Sequence, residues 1–233
     1  MKNLTDFPIT KRWPPVNPSH IQLYSLTTPN GVKASIALEE IGLPYDAHLV
    51  NFGDGDQMTP EFLSLNPNNK IPAIIDPDGP GGKPLALFES GAILIYLAEK
   101  TGKLLSADPA KRYETLQWLM WQMGGVGPMF GQLGYFVKFA GKDIEDPRPR
   151  QRYIDESERL LAVLDQRLEG REFVMDDYSI ADIAIFPWQR ALRDFYQAGA
   201  LVDWDDLANI DAYLERCLAR PAVQRGLVNP ARP

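Results

Sequence analysis

The chain has few of the residues that build metal centres and disulfide frameworks. Its 233 residues include one cysteine, Cys217, and two histidines, His20 and His48. A single cysteine forms neither an intramolecular disulfide nor a zinc cluster, and such sparse use is typical of a reducing compartment. We therefore expect no bound metal and a cytoplasmic location. Because Cys217 lies at helical spacing from apolar residues, on the same helix face, we interpret it as a packing residue.

Long apolar runs and an excess of positive charge are also missing. No stretch approaches the roughly 18 consecutive apolar residues of a membrane span. The 24 basic residues are outnumbered by 31 acidic ones, and acidic residues are in excess in both halves of the chain. Such a surface repels phosphate backbones and anionic lipids, which argues against nucleic-acid and membrane partners.

Residues 1–20 differ in composition from the rest of the chain. Four prolines and several charged residues lie within residues 1–18, and the segment has no apolar core of the length that a secretory signal needs. We predict a non-regular arm that lies on the surface and is a candidate for crossing a partner subunit.

Residues 21–102 alternate between strand and helix patterns. The apolar spacing predicts strands at residues 21–26, 45–52, 71–75 and 85–88, and helices at about 32–41, 60–65 and 90–100. The first strand alternates as if only one of its faces were buried. This order predicts a small mixed sheet with helices on its faces.

After a linker at residues 104–109 the strand patterns disappear, and residues 109–233 predict an all-helical domain. An amphipathic helix at residues 113–123 is interrupted by a glycine-rich stretch, and leucines repeat along a long helix between residues 154 and 168. Ser179 and Asp182 have the spacing of a capping box, which predicts a helix start there.

The turn between the first strand and the first helix is a candidate anion site. Thr28 and Pro29 suit a helix N-terminus, where free amides and the helix dipole stabilise an anion. The side chains of Thr28 and Asn30 add polar hydrogens, and a bound thiol would be drawn towards thiolate here. A plain helix cap uses the same residues, so the turn by itself does not distinguish the two roles.

Two further strand ends carry chemistry. Pro72 marks a sheet edge, a strand start or a cis bond, and it leaves the peptide groups of Ile71 available to an extended, peptide-like ligand. Ser90 and the first amides of the next helix suit a carboxylate, while Glu89 suits an ammonium group. A tight turn and a helix cap are the structural alternatives, and the sequence does not reject them.

Three motifs together resemble the cytosolic glutathione S-transferases. They are residues 67–72 (Pro-Asn-Asn-Lys-Ile-Pro), 87–93 (Leu-Phe-Glu-Ser-Gly-Ala-Ile) and 178–182 (Tyr-Ser-Ile-Ala-Asp). The resemblance covers residues 21–228. It implies a thioredoxin-like α/β domain at residues 21–102, followed by the all-α domain at residues 109–233.

Within that family, residues 27–31 and the stretch from Gln117 to Met129 are similar to the bacterial Nu class. Members of this class bind two glutathiones per subunit and act on disulfides and peroxides. The family usually forms homodimers through the helical domain, so the resemblance implies a homodimer.

The resemblance also assigns roles to individual residues. It implies a cis bond at Pro72 and backbone pairing of Ile71 with the cysteinyl unit of glutathione. Glu89 and Ser90 would hold the γ-glutamyl end, and Gln57 and Lys70 would reach the glycyl end. Thr28 and Asn30 would face the sulfur. Arg152 would bind a carboxylate of a second glutathione.

One departure from many relatives matters for the chemistry. The active turn has neither the tyrosine, serine nor cysteine that many family members place there, so any thiol chemistry must use the sulfur of glutathione. The resemblance therefore implies a glutathione-dependent disulfide-bond oxidoreductase with weaker transferase or peroxidase activity. Conjugation or thiolytic cleavage of small electrophiles, and a non-catalytic regulator of the same fold, are the alternatives.

Overall fold

The computed structural model describes residues 3–231. The first two residues of the predicted arm and the last two of the predicted helical domain lie outside the described residues. The chain forms two compact units. One comprises the residues up to Lys103 together with those from Pro221 onward, and the other is Leu104–Arg220.

The first unit contains a four-stranded mixed sheet in the order β2-β1-β3-β4, which confirms the predicted fold class. Strand β1 pairs with β2 in parallel and with β3 in antiparallel, and β3 pairs with β4 in antiparallel. The strands are β1 (Ile21–Ser25), β2 (Tyr45–Leu49), β3 (Ala73–Gly79) and β4 (Lys83–Phe88). The apolar residues predicted strands at 71–75 and 85–88. In the structure β3 continues to Gly79 and β4 begins at Lys83, so both extend into the predicted connecting turn.

The α-helices of the same unit among residues 3–231 are α1 (Ile9–Arg12), α2 (Gly31–Ile41), α3 (Pro60–Leu63), α4 (Ser90–Thr101) and α10 (Pro221–Gly226). The sequence pattern places helix α10 in the helical domain, but it packs on α2. Its Gly226 lies so close to Ile36 that an added Cβ would be 2.6 Å from the Ile36 Cα. The hydroxyl of Ser35 also donates to the Gly226 carbonyl at 2.7 Å.

Strand β1 is buried on both faces, so the prediction of one-sided burial is wrong. The reason is that both helix α2 and the N-terminal segment pack against this strand. Tyr24 packs in a cluster with Leu4 and Ile9 of the N-terminal segment. The polar Gln22 is buried as well, where it donates to the carboxylate of Asp46 at 3.1 Å.

The N-terminal segment is not the predicted non-regular surface arm. It contains a 3₁₀ turn at Leu4–Asp6 and helix α1, and it buries Leu4 and Ile9. The Trp13 indole donates to the carbonyl of Leu49 at 3.0 Å and packs edge-on against Phe62. The many prolines and charged residues of this segment suggest an exposed arm, although Leu4, Ile9 and Trp13 pack against the rest of the first unit.

The second unit is helical, with α5 (Pro109–Trp121), α6 (Gly127–Lys138), α7 (Pro147–Leu168), α8 (Ile180–Arg190) and α9 (Ile210–Leu218). The predicted capping box is present at α8, where the carboxylate of Asp182 accepts the backbone amides of Ser179 and Val174, both at 2.9 Å. Cys217 is buried on α9. Within the described residues no helix is both long enough and apolar enough to cross a membrane.

Because Ile9 is fully buried in the core cluster, we expect Ile9→Ala to lower the free energy of unfolding by about 2–5 kcal/mol through lost burial and the cavity left behind. Val16→Ala is the matched control within the same segment, since Val16 is 87% exposed. Urea unfolding measures both. Equal, small effects of the two changes would contradict the docking of this segment.

Candidate functional site

The turn after β1 is held tightly against the strand that precedes it. A Cβ on Gly31 would lie 1.8 Å from the Leu26 carbonyl oxygen, so only glycine fits there. The Ser25 hydroxyl donates to the Gly31 carbonyl at 3.1 Å. Helix α2 therefore begins directly at the end of β1, and its N-terminus faces the end of the sheet.

Thr28 forms the predicted capping bond, although α2 itself begins at Gly31. Its hydroxyl oxygen accepts the Gly31 amide at 3.2 Å, and its carbonyl accepts the Val32 amide at 3.0 Å. A hydroxyl that accepts one bond keeps its own proton to donate. The Thr28 hydroxyl can therefore cap the helix and donate to an anion at the same time.

Asn30 is fixed by a lysine that the sequence analysis did not single out. The amine of Lys33 donates to the Asn30 carboxamide oxygen at 2.8 Å. Lys33 is fully buried, and this burial lowers its pKa to about 7, while the charge of Glu89 acts in the opposite direction. A buried amine whose pKa is lowered thus lies immediately inside the turn.

The segment before β3 is organised by a buried asparagine. The Asn66 side chain accepts the Asn68 amide at 2.9 Å and donates to the Lys70 carbonyl at 2.6 Å. The Ile71–Pro72 bond, which comes next in the chain, is cis, as predicted. Ile71 precedes the first paired residue of β3, so its peptide groups lie beyond the end of the ladder.

Glu89 and Ser90 form the start of α4. Glu89 is exposed and has a positive φ of 72°, an uncommon backbone conformation for a residue with a Cβ. Such residues cluster at ligand-binding and active sites. Ser90 is buried as the first residue of the helix.

The sheet register brings the predicted segments together. Ala73 pairs with Tyr24 on one side and with Phe88 on the other. The end of β1, the start of β3 and the end of β4 therefore meet at one edge of the sheet. This edge gathers the turn of Thr28 and Asn30, the Ile71–Pro72 bond, and the pair Glu89 and Ser90.

Gln57 lies in a 3₁₀ turn that the N-terminal segment supports. Its carboxamide oxygen is buried and accepts no hydrogen bond from any residue between 3 and 231. The neighbouring Asp56 accepts the guanidinium of Arg12 and, at 2.8 Å, the amide of Asn51. Helix α1 therefore helps to hold the turn that carries Gln57.

Arg152 belongs to the other compact unit. It is exposed on α7, and its charge contributes to the lowered pKa of Glu156, which is due chiefly to the side chain of Arg159. Its predicted role stays a prediction. In the part of the chain that the structure describes, no three histidine, cysteine or acidic side chains are grouped so that they could hold a metal ion.

The chain belongs to the glutathione S-transferase family, as its motifs predicted. The family model described as the glutathione S-transferase N-terminal domain matches residues 28–100. Disulfide-bond oxidoreductase YfcG of Escherichia coli is 46% identical over 214 residues, which cover 89% of this chain and 94% of that protein. Disulfide-bond oxidoreductase YghU of the same organism is 43% identical over 223 residues, covering 92% and 76%.

Solved structures of glutathione transferases are similar over nearly the whole chain. One from Pseudomonas putida, with one glutathione disulfide bound per subunit, is 63% identical with a TM-score of 0.98, and the match covers 99% of this chain and 100% of that one. One from Burkholderia graminis, with two glutathione molecules bound per subunit, is 66% identical with a TM-score of 0.97 and covers 100% and 98%.

Four supporting residues were missed by sequence reasoning: Arg12, Asp56, Asn66 and Lys33. A signal existed for Lys33, because a lysine three residues before Ile36 and four before Ala37 shares the apolar stripe of the helix. Arg12 and Asp56 are 44 residues apart, and a surface-like composition gives no hint of such a pair.

Asn66→Ala leaves the Asn68 amide and the Lys70 carbonyl without their side-chain partner. We expect a loss of roughly 1–3 kcal/mol in the free energy of unfolding, because two partly buried hydrogen bonds are lost. Asn68→Ala is the matched control, because the Asn68 side chain is exposed. Urea denaturation compares the two variants, and comparable effects would show that Asn66 does not organise this segment.

Proposed function

We propose that this protein is a glutathione-dependent disulfide-bond oxidoreductase. The observation that carries the proposal is the meeting of three features at one sheet edge: a helix N-terminus with Thr28 and Asn30, the cis Ile71–Pro72 bond, and the Glu89–Ser90 helix start. The names of the relatives YfcG and YghU support the same activity.

The residues at this edge fit an extended tripeptide. Backbone groups of Ile71 would pair with the cysteinyl unit, while Ser90 and the first amides of α4 would hold the γ-glutamyl carboxylate, with Glu89 accepting from its ammonium. Lys70 would reach the glycyl carboxylate. The buried carboxamide oxygen of Gln57, which lacks a donor among the described residues, suits the glycyl amide.

The reacting sulfur would belong to glutathione. The Thr28 hydroxyl, the Asn30 carboxamide and the N-terminus of α2 favour an ionised thiol because all supply positive potential at one point. Cys217 is unsuited to this chemistry, since it is buried and burial raises the pKa of its thiol.

The reaction is two thiol–disulfide exchanges. The glutathione thiolate attacks one sulfur of a disulfide, forming a mixed disulfide and releasing the other sulfur as a thiolate that takes up a proton. A second glutathione, as thiolate, attacks the glutathione sulfur of the mixed disulfide. The products are glutathione disulfide and two substrate thiols, so two electrons pass from two glutathiones to the substrate.

The second glutathione would be held in part by Arg152, through its carboxylate. The description of two glutathiones per subunit in the Burkholderia graminis transferase supports this stoichiometry. Binding both thiols in one site makes the second exchange effectively intramolecular, which raises its rate.

A homodimer and a cytoplasmic location complete the proposal. Tyr113 and Met120 lie seven residues apart on α5 and are 71% and 52% exposed, which supports an apolar contact on the helical unit. A reducing compartment would supply the reduced glutathione that each turnover consumes.

We expect Asn30→Ala and Thr28→Ala each to lower glutathione:disulfide exchange about tenfold or more at neutral pH, because each removes a donor that favours the ionised thiol of glutathione. Thr28→Ser, which keeps the hydroxyl, is the matched control and should retain most activity. Turnover with a small disulfide substrate measures this. Undiminished exchange in both alanine variants would sink the thiolate-stabilising role.

The same assay separates the proposed reaction from other activities of the fold. Activity is compared across disulfides, hydroperoxides and aryl halides. Faster turnover of aryl halides than of disulfides would favour conjugation, and full glutathione affinity without any turnover would favour a regulator.

Calorimetry with reduced glutathione tests the second binding event. We expect two equivalents per wild-type subunit and about one for Arg152→Ala at the same ligand concentration, because the variant lacks the cation for the second carboxylate. Arg150→Ala is the control, since Arg150 is an exposed arginine on the same helix. Identical stoichiometry in both variants would exclude Arg152 from the site.

A further inference from the structure

Lys33 places a buried amine next to the predicted site. It is the third residue of α2, and its side chain is 0% exposed, which is rare for lysine. Burying an ammonium group is costly unless neighbouring groups compensate it. The groups around it include the Asn30 carboxamide and the charge of Glu89.

The hydrogen bond between Lys33 and Asn30 has a defined direction. In its protonated form a lysine amine only donates, so it meets the oxygen of the carboxamide and not the nitrogen. The observed partner is Asn30 Oδ1, at 2.8 Å from Lys33 Nζ. Since the oxygen and nitrogen of a planar carboxamide point apart, the Asn30 nitrogen is turned away from the Lys33 amine. Without Lys33, a half-turn about the last side-chain torsion would exchange the two ends.

Lys33 also interacts electrostatically with Glu89, at the start of α4. Glu89 precedes α4 as Asn30 precedes α2, and both lie where β1 and β4 end. The electrostatic interaction with Glu89 favours the charged form of Lys33, opposing its burial. One amine therefore interacts with two of the residues that the proposed function assigns to glutathione.

We propose that Lys33 is a positioning residue: its buried amine holds the Asn30 carboxamide oxygen inward, so that the carboxamide nitrogen donates to the sulfur of bound glutathione. The inference rests on the proposed function, because it concerns the same Asn30 and the same sulfur. Lys33 does not touch the reacting atoms itself, and its effect passes through Asn30.

Lys33→Met tests the proposal, because methionine keeps an unbranched chain of similar length and removes the donor and the charge. We expect the thiol pKa of bound glutathione, followed by thiolate absorbance during a pH titration at saturating glutathione, to rise by about one unit. This is about a tenfold smaller thiolate fraction below the pKa. The unfolding midpoint in urea should stay or rise, since an apolar side chain suits a buried site.

Lys103→Met is the matched control. The amine of Lys103 donates to the Ile41 carbonyl at 2.8 Å, at the opposite end of the same helix. This variant loses a lysine hydrogen bond to α2 and should leave the thiol pKa unchanged. An unchanged thiol pKa in Lys33→Met as well would overturn the proposal.

A double-mutant comparison shows whether the effect passes through Asn30. In an Asn30→Ala background, Lys33→Met should add little to the thiol pKa. If the full shift persists without Asn30, the charge of Lys33 acts directly on the sulfur and the positioning role is wrong.

A measurement on the ligand-free protein separates this inference from the proposed function. The side-chain amide signals of Asn30 in a ¹⁵N–¹H NMR spectrum, assigned by their loss in Asn30→Ala, should shift or broaden in Lys33→Met and not in Lys103→Met. Unaltered signals would overturn the positioning role. If the signals change in Lys33→Met but glutathione bound to the wild-type protein has an ordinary thiol pKa, then Lys33 positions Asn30 and Asn30 does not contact the sulfur.

Discussion

The close approach of Gly31 to the end of β1 is the constraint on which the candidate site depends. An added Cβ would overlap the Leu26 carbonyl oxygen, so α2 can start this near the strand only with glycine at this position. That start places Thr28 and Asn30 at the sheet edge where β3 begins and β4 ends. The residue pairing around Ala73 then brings the Ile71–Pro72 bond and Glu89 to the same edge.

The residues around this edge form two layers. One layer would face a ligand, and the other supports it. Thr28, Asn30 and Glu89 keep at least partial exposure. Behind them, buried Lys33 and Asn66 fix side chain and backbone through hydrogen bonds of defined direction. Such an arrangement limits the freedom that binding would otherwise have to remove, because the polar groups are already oriented.

Local patterns in the sequence predicted the elements that carry the site, and long-range docking escaped them. The strands, the turn of Thr28 and the capping box of Ser179 each have signals within a few neighbouring residues, while the cis bond at Pro72 is implied by the family resemblance. The N-terminal segment and α10 dock through a few apolar or small groups, such as Ile9 and Gly226, against residues far along the chain. Their short, polar sequences resemble exposed segments, and only tertiary packing distinguishes them.

The burial of Cys217 has a consequence for resistance to oxidants. Reactive cysteines are lost when their sulfur is over-oxidised to sulfinic or sulfonic acid, since these states are irreversible except for the sulfinic acid of certain peroxiredoxins. In this protein the only cysteine sulfur is shielded on α9, and on the proposed function the exposed, reactive sulfur belongs to a small molecule. A damaged sulfur would leave by dissociation, and a fresh tripeptide would restore activity without repair or resynthesis of the chain.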